Sequence, residues 1–253
     1  MNNESRPTIL LIPGHWLGAW AWDEVVAHLA DGWRVLPMTL PGLDETDPTR
    51  SSRTLEEQAA AIRRTIEAES AEGRAVLVVA HSGANAPVSL VLDQRPELVG
   101  RVMWVDSGPV APGTVFAADA AIDEMPLPPF DQLGAQASLE GLDTEALERF
   151  RARAVPQPGP VLRQRVDLSN TGRLAVPTTL VCCSMPSAQI KELVAAGHPM
   201  FSEVAHLEDV EYVDLPTGHW PMWSRPGDLA RVIAAAAGGS TASRRAMGAL
   251  QER

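Results

Sequence analysis

The sequence predicts an α/β fold: a mostly parallel sheet, covered on both faces by helices, with a helical cap inserted into it. Three observations lead to this prediction. Short apolar runs alternate with amphipathic helical patterns along most of the chain, which is typical of parallel sheets with helical crossovers. Residues 111–173 break this rhythm because they contain no convincing strand. Polar, chemically reactive side chains follow several of the apolar runs.

Six apolar runs have the length and composition of strands. In chain order they are Thr8–Ile12, Arg34–Leu40, Ala75–Ala80, Arg101–Val105, Thr178–Cys183 and Glu211–Leu215. Four helices are predicted between or after these runs. They are Asp23–Ala30, the segment that follows Ser82, Ile190–Ala196 and Asp228–Ala237.

A further helix is predicted from its N-terminal signal. Thr54-Leu-Glu-Glu57 is a capping-box pattern, in which Thr and Glu side chains satisfy each other's backbone N–H groups. The pattern opens a segment with Leu55, Ile62 and Ile66 on one helical face. We therefore expect this helix to pack on the sheet.

The pattern divides the chain into three parts. Residues 1–110 and 174–239 form the α/β core, residues 111–173 a helical cap or lid, and residues 240–253 a flexible C-terminal tail. Within the cap, Thr144–Ala154 has the composition of a helix. Insertions of this kind commonly shape a substrate pocket.

Composition excludes several classes of partner. A net charge of −11 opposes phosphate backbones and anionic lipids, so we expect neither a nucleic-acid nor a membrane partner. No apolar run reaches the length of a membrane span, and the first residues lack the features of a signal peptide. Cys182 and Cys183 are adjacent and have no metal-ligand companions, which favours reduced thiols in a cytoplasmic protein. Both a monomer and a homodimer are compatible with the sequence.

A serine, an aspartate and a histidine each follow a predicted strand. Ser82 lies in AVLVVAHSGANAP (residues 75–87), Asp106 ends the fourth run, and His219 follows the last one. Because ligand sites form at the carboxyl ends of parallel strands, we expect these side chains to lie close together. The chain order Ser, Asp, His is that of the α/β-hydrolase triad.

From Thr8 to about Ala237 the chain resembles α/β-hydrolases. The stretch IPGHWLGAWAW, residues 12–22, is similar to the oxyanion loop of small esterases such as plant methylesterases. Ala80–Ala84 resembles the nucleophile elbow, with alanines where the G-x-S-x-G pattern has glycines. Small residues are needed there because the turn brings strand and helix close together.

The resemblance implies a role for each residue. Ser82 would be the nucleophile and His219 the base that removes its proton. The backbone N–H groups of His15 and Gly83 would bind the oxyanion. This chemistry needs neither metal nor cofactor, and we expect none.

The acid departs from the commonest pattern of the family. The loop after the next-to-last strand, residues 182–188, contains no carboxylate. Asp106 is the remaining candidate, and we predict that it orients His219. An acid in that position resembles lactone hydrolases of the zearalenone type and the cofactor-independent quinolone dioxygenases.

Tryptophans flank the predicted site loops. Trp16 and Trp220 are expected to form pocket walls, and His81 to line the pocket or support it. Together with Met103, Met185 and Met222, the aromatic residues favour a small hydrophobic substrate.

The leading functional hypothesis is a serine hydrolase that cleaves an ester or lactone of a small hydrophobic molecule through an acyl-enzyme. One alternative is a cofactor-independent dioxygenase of a heteroaromatic substrate, although such enzymes tend to have a histidine where this chain has Gly83. A lyase that uses the same triad and a non-catalytic binding protein are further alternatives.

Overall fold

The computed structural model describes residues 6–29, 32–118 and 122–239. The tail predicted at residues 240–253 lies outside the described residues. None of the helices in the described part of the chain is long and apolar enough to span a membrane.

Six parallel strands form the central sheet, in the order β2-β1-β3-β4-β7-β8. They are β1 (Thr8–Ile12), β2 (Val35–Pro37), β3 (Val76–His81), β4 (Arg101–Val105), β7 (Thr178–Cys182) and β8 (Val210–Asp214). A separate antiparallel pair is made by β5 (Glu124–Met125) and β6 (Gln157–Pro158). The predicted α/β fold class with a mostly parallel sheet is confirmed.

Nine α-helices lie in the described ranges. They are α1 (Asp23–Leu29), α2 (Leu55–Ala71), α3 (Asn85–Gln94), α4 (Phe130–Gly134), α5 (Thr144–Arg153), α6 (Gly159–Arg163), α7 (Ser187–Ala195), α8 (Pro221–Ser224) and α9 (Pro226–Gly238). Short 3₁₀ helices occur between them, among which Ala19–Trp22 and Ser82–Ala84 border the predicted site.

The two faces of the sheet are both buried. In β1, Ile9 and Leu11 belong to the cluster that includes residues of α1 and α9, whereas Leu10 and Ile12 belong to the cluster under α2 and α3. Successive side chains of a strand point to opposite faces, so a strand covered on both sides must be apolar throughout. This explains the continuous apolar runs in the sequence.

The capping box at Thr54 forms as the sequence predicts. The Thr54 hydroxyl accepts a hydrogen bond from the Glu57 N–H at 3.2 Å, and the Glu57 carboxylate accepts one from the Thr54 N–H at 2.8 Å. Leu55, Ile62 and Ile66 are buried on the face that packs against the sheet.

Several predicted elements differ from the structure; the helix predicted at Ile190–Ala196, for example, spans Ser187–Ala195. Two differences have a clear physical reason. The run Arg34–Leu40 pairs over only Val35–Pro37, because hydrophobicity reports burial and not the extent of strand pairing at a sheet edge. Residues 111–173 contain β5 and β6, which the sequence does not predict. Strands of two residues are too short for a period-2 pattern, and Pro158 argues against a strand.

Substituting Thr54 by alanine should lower the free energy of unfolding by about 1 kcal/mol, because the first turn of α2 loses a hydrogen-bond acceptor. Urea denaturation followed by circular dichroism measures this loss. The Thr54→Ser variant keeps the hydroxyl and should retain most of the stability, while equal losses in both variants would contradict the capping role.

Candidate active site

Ser82, Asp106 and His219 meet at the carboxyl ends of the strands. Ser82 directly follows β3, Asp106 directly follows β4, and His219 lies in the loop between β8 and α8. Ser82 has φ of 50° and Asp106 has φ of 45°. Positive φ is strained for residues with a Cβ, and such strain is concentrated at functional sites.

One continuous chain of hydrogen bonds joins the three side chains. The His219 Nδ1 atom lies 2.7 Å from Asp106 Oδ2, and His219 Nε2 lies 2.7 Å from Ser82 Oγ. Since a carboxylate only accepts, Nδ1–H donates to Asp106. In the neutral imidazole Nε2 then accepts from the Ser82 hydroxyl.

Asp106 is fixed by the loop that follows β7. Its Oδ1 atom accepts hydrogen bonds from the N–H groups of Cys183 at 3.1 Å and Ser184 at 2.8 Å, and the Ser184 hydroxyl donates to Oδ2 at 2.6 Å. Burial by itself raises the pKa of the Asp106 carboxyl, but the hydrogen bonds from His219 and Ser184 outweigh burial and lower the pKa below its usual value. Asp106 is therefore held as a carboxylate.

Ser184 is a site residue that sequence reasoning missed. It lies in the loop where the family most often has its acid, and here that loop binds the carboxylate supplied by β4. A bond between residues 78 positions apart in the chain leaves no local pattern, so the missing carboxylate in residues 182–188 was the only signal.

Three other carboxylates between β7 and His219 do not contact this histidine. Asp214 accepts hydrogen bonds from the N–H and hydroxyl of Ser187, both at 2.6 Å. Glu203 pairs with Arg173, and Glu192 is exposed. The structure brings Asp106, and none of these three, to His219.

The loop after β1 packs directly on the serine turn. A side-chain carbon on Gly14 would lie 2.8 Å from Ser82 Cβ, and one on Gly83 would collide with the His15 imidazole. Only glycine permits this approach at both positions. Gly83 lies in the first turn of the 3₁₀ helix Ser82–Ala84, where N–H groups have no intrahelical partner.

Two further imidazoles surround the chain of hydrogen bonds. The His81 Nε2–H donates to the backbone carbonyl of His219 at 2.7 Å, which anchors the histidine loop to β3. Burial lowers the pKa of His81 to about 3 and the pKa of His15 to about 4. Both side chains are therefore neutral at pH 7.

The segment between β4 and β7 also holds the histidine loop. The N–H of His219 donates to the carbonyl of Ser138 at 2.8 Å, and the N–H of Gly218 donates to that of Glu140 at 3.1 Å. A side-chain carbon on Gly218 would lie only 2.6 Å from the Ser138 carbonyl oxygen, so this pairing requires glycine.

A cavity of about 650 Å³ opens at Ser82. Trp16, His81 and Trp220 line it, as does Met185, whereas Met103 and Met222 are buried in the core and do not. Residues 111–173 supply seven residues of the wall, which are Ala111, Thr114, Phe116, Leu133, Gln136, Ala137 and Ser138. Among the described residues, no group of three His, Cys, Asp or Glu side chains could hold a metal ion.

A serine, a histidine and an aspartate joined in this order at the carboxyl ends of a parallel sheet define an enzyme of the α/β-hydrolase class. Comparison with known proteins agrees, since the model of the alpha/beta hydrolase family matches residues 9–232. The chain belongs to that family. The sequence prediction of an α/β-hydrolase enzyme is confirmed.

Individual relatives are distant. A protein named probable hydrolase R7, from Phoma sp., is 26% identical over 250 residues, which cover 92% of this chain and 99% of the relative. A putative chloroplastic methylesterase of Arabidopsis thaliana is 31% identical over 108 residues, which cover 41% of this chain and 30% of the relative. The structure of an extracellular alpha/beta-hydrolase from a Paenibacillus species is similar with a TM-score of 0.71 at 18% identity, covering 92% of this chain and all of that one.

The buried neutral state of His81 predicts a pH dependence of stability. Its pKa is about 3 in the folded protein and about 6.5 when unfolded, so between these values only the unfolded state binds the proton. The free energy of unfolding should therefore fall as pH drops below about 6.5. His81→Gln should make the fall between pH 7 and pH 5 smaller by about 2 kcal/mol in urea denaturation. The same fall in variant and wild type would contradict a buried neutral imidazole.

Proposed function

We propose that the protein is a serine esterase or lactonase that acts on a small hydrophobic molecule through an acyl-enzyme. The observation that carries the proposal is the hydrogen-bonded chain Ser82–His219–Asp106, with 2.7 Å at both contacts of the imidazole. A serine hydroxyl is a weak nucleophile until an adjacent base removes its proton, and this geometry supplies the base and its orienting carboxylate.

In the acylation step, Ser82 Oγ attacks the carbonyl carbon while its proton moves to His219 Nε2. Asp106 keeps the imidazole in the Nδ1–H tautomer and stabilises the imidazolium. The tetrahedral intermediate collapses, the C–O bond to the alcohol breaks, and His219 returns the proton to the leaving oxygen. In the second half-reaction, water gives its proton to His219 and attacks the acyl-enzyme, and Ser82 leaves with that proton.

The oxyanion of each tetrahedral intermediate is stabilised by the backbone N–H groups of His15 and Gly83 in this mechanism. The close packing of Gly14 on Ser82 and of His15 on Gly83 supports this assignment. Donors of this kind are worth roughly 3 kcal/mol each in the transition state, because they are oriented before charge develops.

An ester of a small hydrophobic molecule fits the cavity. Trp16, Trp220, Leu133 and Met185 supply apolar walls close to Ser82 and His219. The residues 111–173 act as a cap in this proposal, since they form one wall of the cavity and hold the His219 backbone. The names of the Phoma hydrolase and the Arabidopsis methylesterase also favour ester cleavage.

Ser82→Ala should abolish turnover of p-nitrophenyl esters, with a loss on the order of 10⁶ in kcat, because no nucleophile remains. Intact mass spectrometry of the wild type after treatment with a fluorophosphonate should show one adduct on Ser82, absent from the variant. Retention of more than about a tenth of the activity would contradict nucleophilic catalysis at Ser82 and favour the dioxygenase alternative.

Asp106→Asn should lower kcat by about 10⁴. The amide N–H of the asparagine would donate to Nδ1 of His219, and the imidazole proton would then lie on Nε2, which could no longer accept the proton of Ser82. The loss is measured with p-nitrophenyl esters and should shrink at high pH. Asp214→Asn is the matched control, since Asp214 also ends a strand of the sheet but binds Ser187. Similar activity of the two variants would contradict the role of Asp106.

A further inference from the structure

The charged side chains that line the cavity determine which substrates it can accept. Of the described residues that line it, Asp106 is the one with a carboxylate side chain, and none is a lysine or an arginine. Neutral polar groups are present, such as Asn85, Ser107 and Gln136. The walls otherwise consist of apolar and aromatic side chains and small residues.

The one carboxylate in the cavity, Asp106, already has hydrogen-bond partners on both oxygens. Both carboxylate oxygens of Asp106 accept hydrogen bonds from His219, Cys183 and Ser184. His15 and His81 cannot act as counter-ions, since burial lowers the pKa of His15 to about 4 and that of His81 to about 3. An anion bound in this cavity would therefore meet no lysine, no arginine and no protonated His15 or His81.

The rim of the cavity is apolar as well. Phe116 is 61% exposed and Met200 is 71% exposed, and both border the cavity. They are the two most exposed large hydrophobic side chains among the described residues, since the next, Ile122, is 40% exposed. The chain as a whole carries a net charge of −11, so its field also opposes anions at the entrance.

We propose that this site selects esters with uncharged acyl groups and rejects esters whose acyl chain ends in a carboxylate. The inference rests on the proposed esterase function and names the substrate class that the cavity accepts. Its physical basis is desolvation. A carboxylate that enters the cavity loses its hydration and gains no lysine or arginine counter-ion in exchange.

Three p-nitrophenyl esters with matched acyl chains test the proposal: the pentanoate, the glutaramate and the hemiglutarate. The glutaramate amide is polar and has the shape of the carboxylate without its charge, so it separates charge from polarity. We expect kcat/KM for the hemiglutarate to be at least about 100-fold below that for the glutaramate. The difference should persist in about 0.5 M NaCl, which screens long-range repulsion but does not supply a counter-ion in the cavity.

A matched pair of variants tests the cause of the rejection. Gln136 is exposed and lines the cavity, whereas Gln132, also exposed, lies one turn earlier and does not line it. Gln136→Arg supplies the missing counter-ion and should narrow the ratio between glutaramate and hemiglutarate by about fivefold or more. Gln132→Arg adds the same net charge away from the cavity and should change that ratio by less than about twofold.

Each outcome decides the proposal. Hydrolysis of the hemiglutarate within about fivefold of the glutaramate would overturn charge selection and leave the esterase function standing. A glutaramate rejected as strongly as the hemiglutarate would show that polarity decides, and equal ratios in the two arginine variants would exclude a missing counter-ion as the cause. Absence of turnover with all three esters would refute the esterase function and the selectivity together.

Discussion

The site depends on the position of one imidazole. His219 must reach Ser82 after β3 with one ring nitrogen and Asp106 after β4 with the other, at 2.7 Å in both cases. It comes from a loop after β8, which is not adjacent to either strand in the sheet. Three contacts therefore hold its backbone: the His81 imidazole binds its carbonyl, and the carbonyls of Ser138 and Glu140 pair with the N–H groups of His219 and Gly218.

Backbone strain is confined to the same place. The residues other than glycine with positive φ in the described part of the chain are Trp16, Ser82 and Asp106. Each such conformation costs on the order of 1–3 kcal/mol and persists only where the surrounding structure enforces it. Here β1, β3 and β4 each pair with a strand on both sides. Ser82 and Asp106 directly follow β3 and β4, and Trp16 lies in the loop after β1. The rigid sheet thus supports the strained turns.

The position of the acid and the charge of the cavity are related. Because the loop after β7 carries no carboxylate, its N–H groups and the Ser184 hydroxyl are used to bind Asp106. The hydrogen bond from His219 and these donors together lower the pKa of the buried carboxyl and keep it ionised. The hydrogen bonds of Asp106 therefore involve no lysine or arginine, and the described residues that line the cavity include neither.

The local patterns of the sequence predict the order of the strands along the chain, the covered parallel sheet, the capping box at Thr54 and the three strand ends that bear Ser82, Asp106 and His219. These features follow from local periodicity and from turn chemistry, which are encoded within a few residues. By elimination the sequence also points to Asp106 as the acid. That Ser184 holds this carboxylate, and that residues 138–140 pair with the histidine loop, is visible in the tertiary structure alone. Contacts of this kind join residues about 80 to 110 positions apart, and their formation depends on how the layers pack, so no short stretch of sequence contains them.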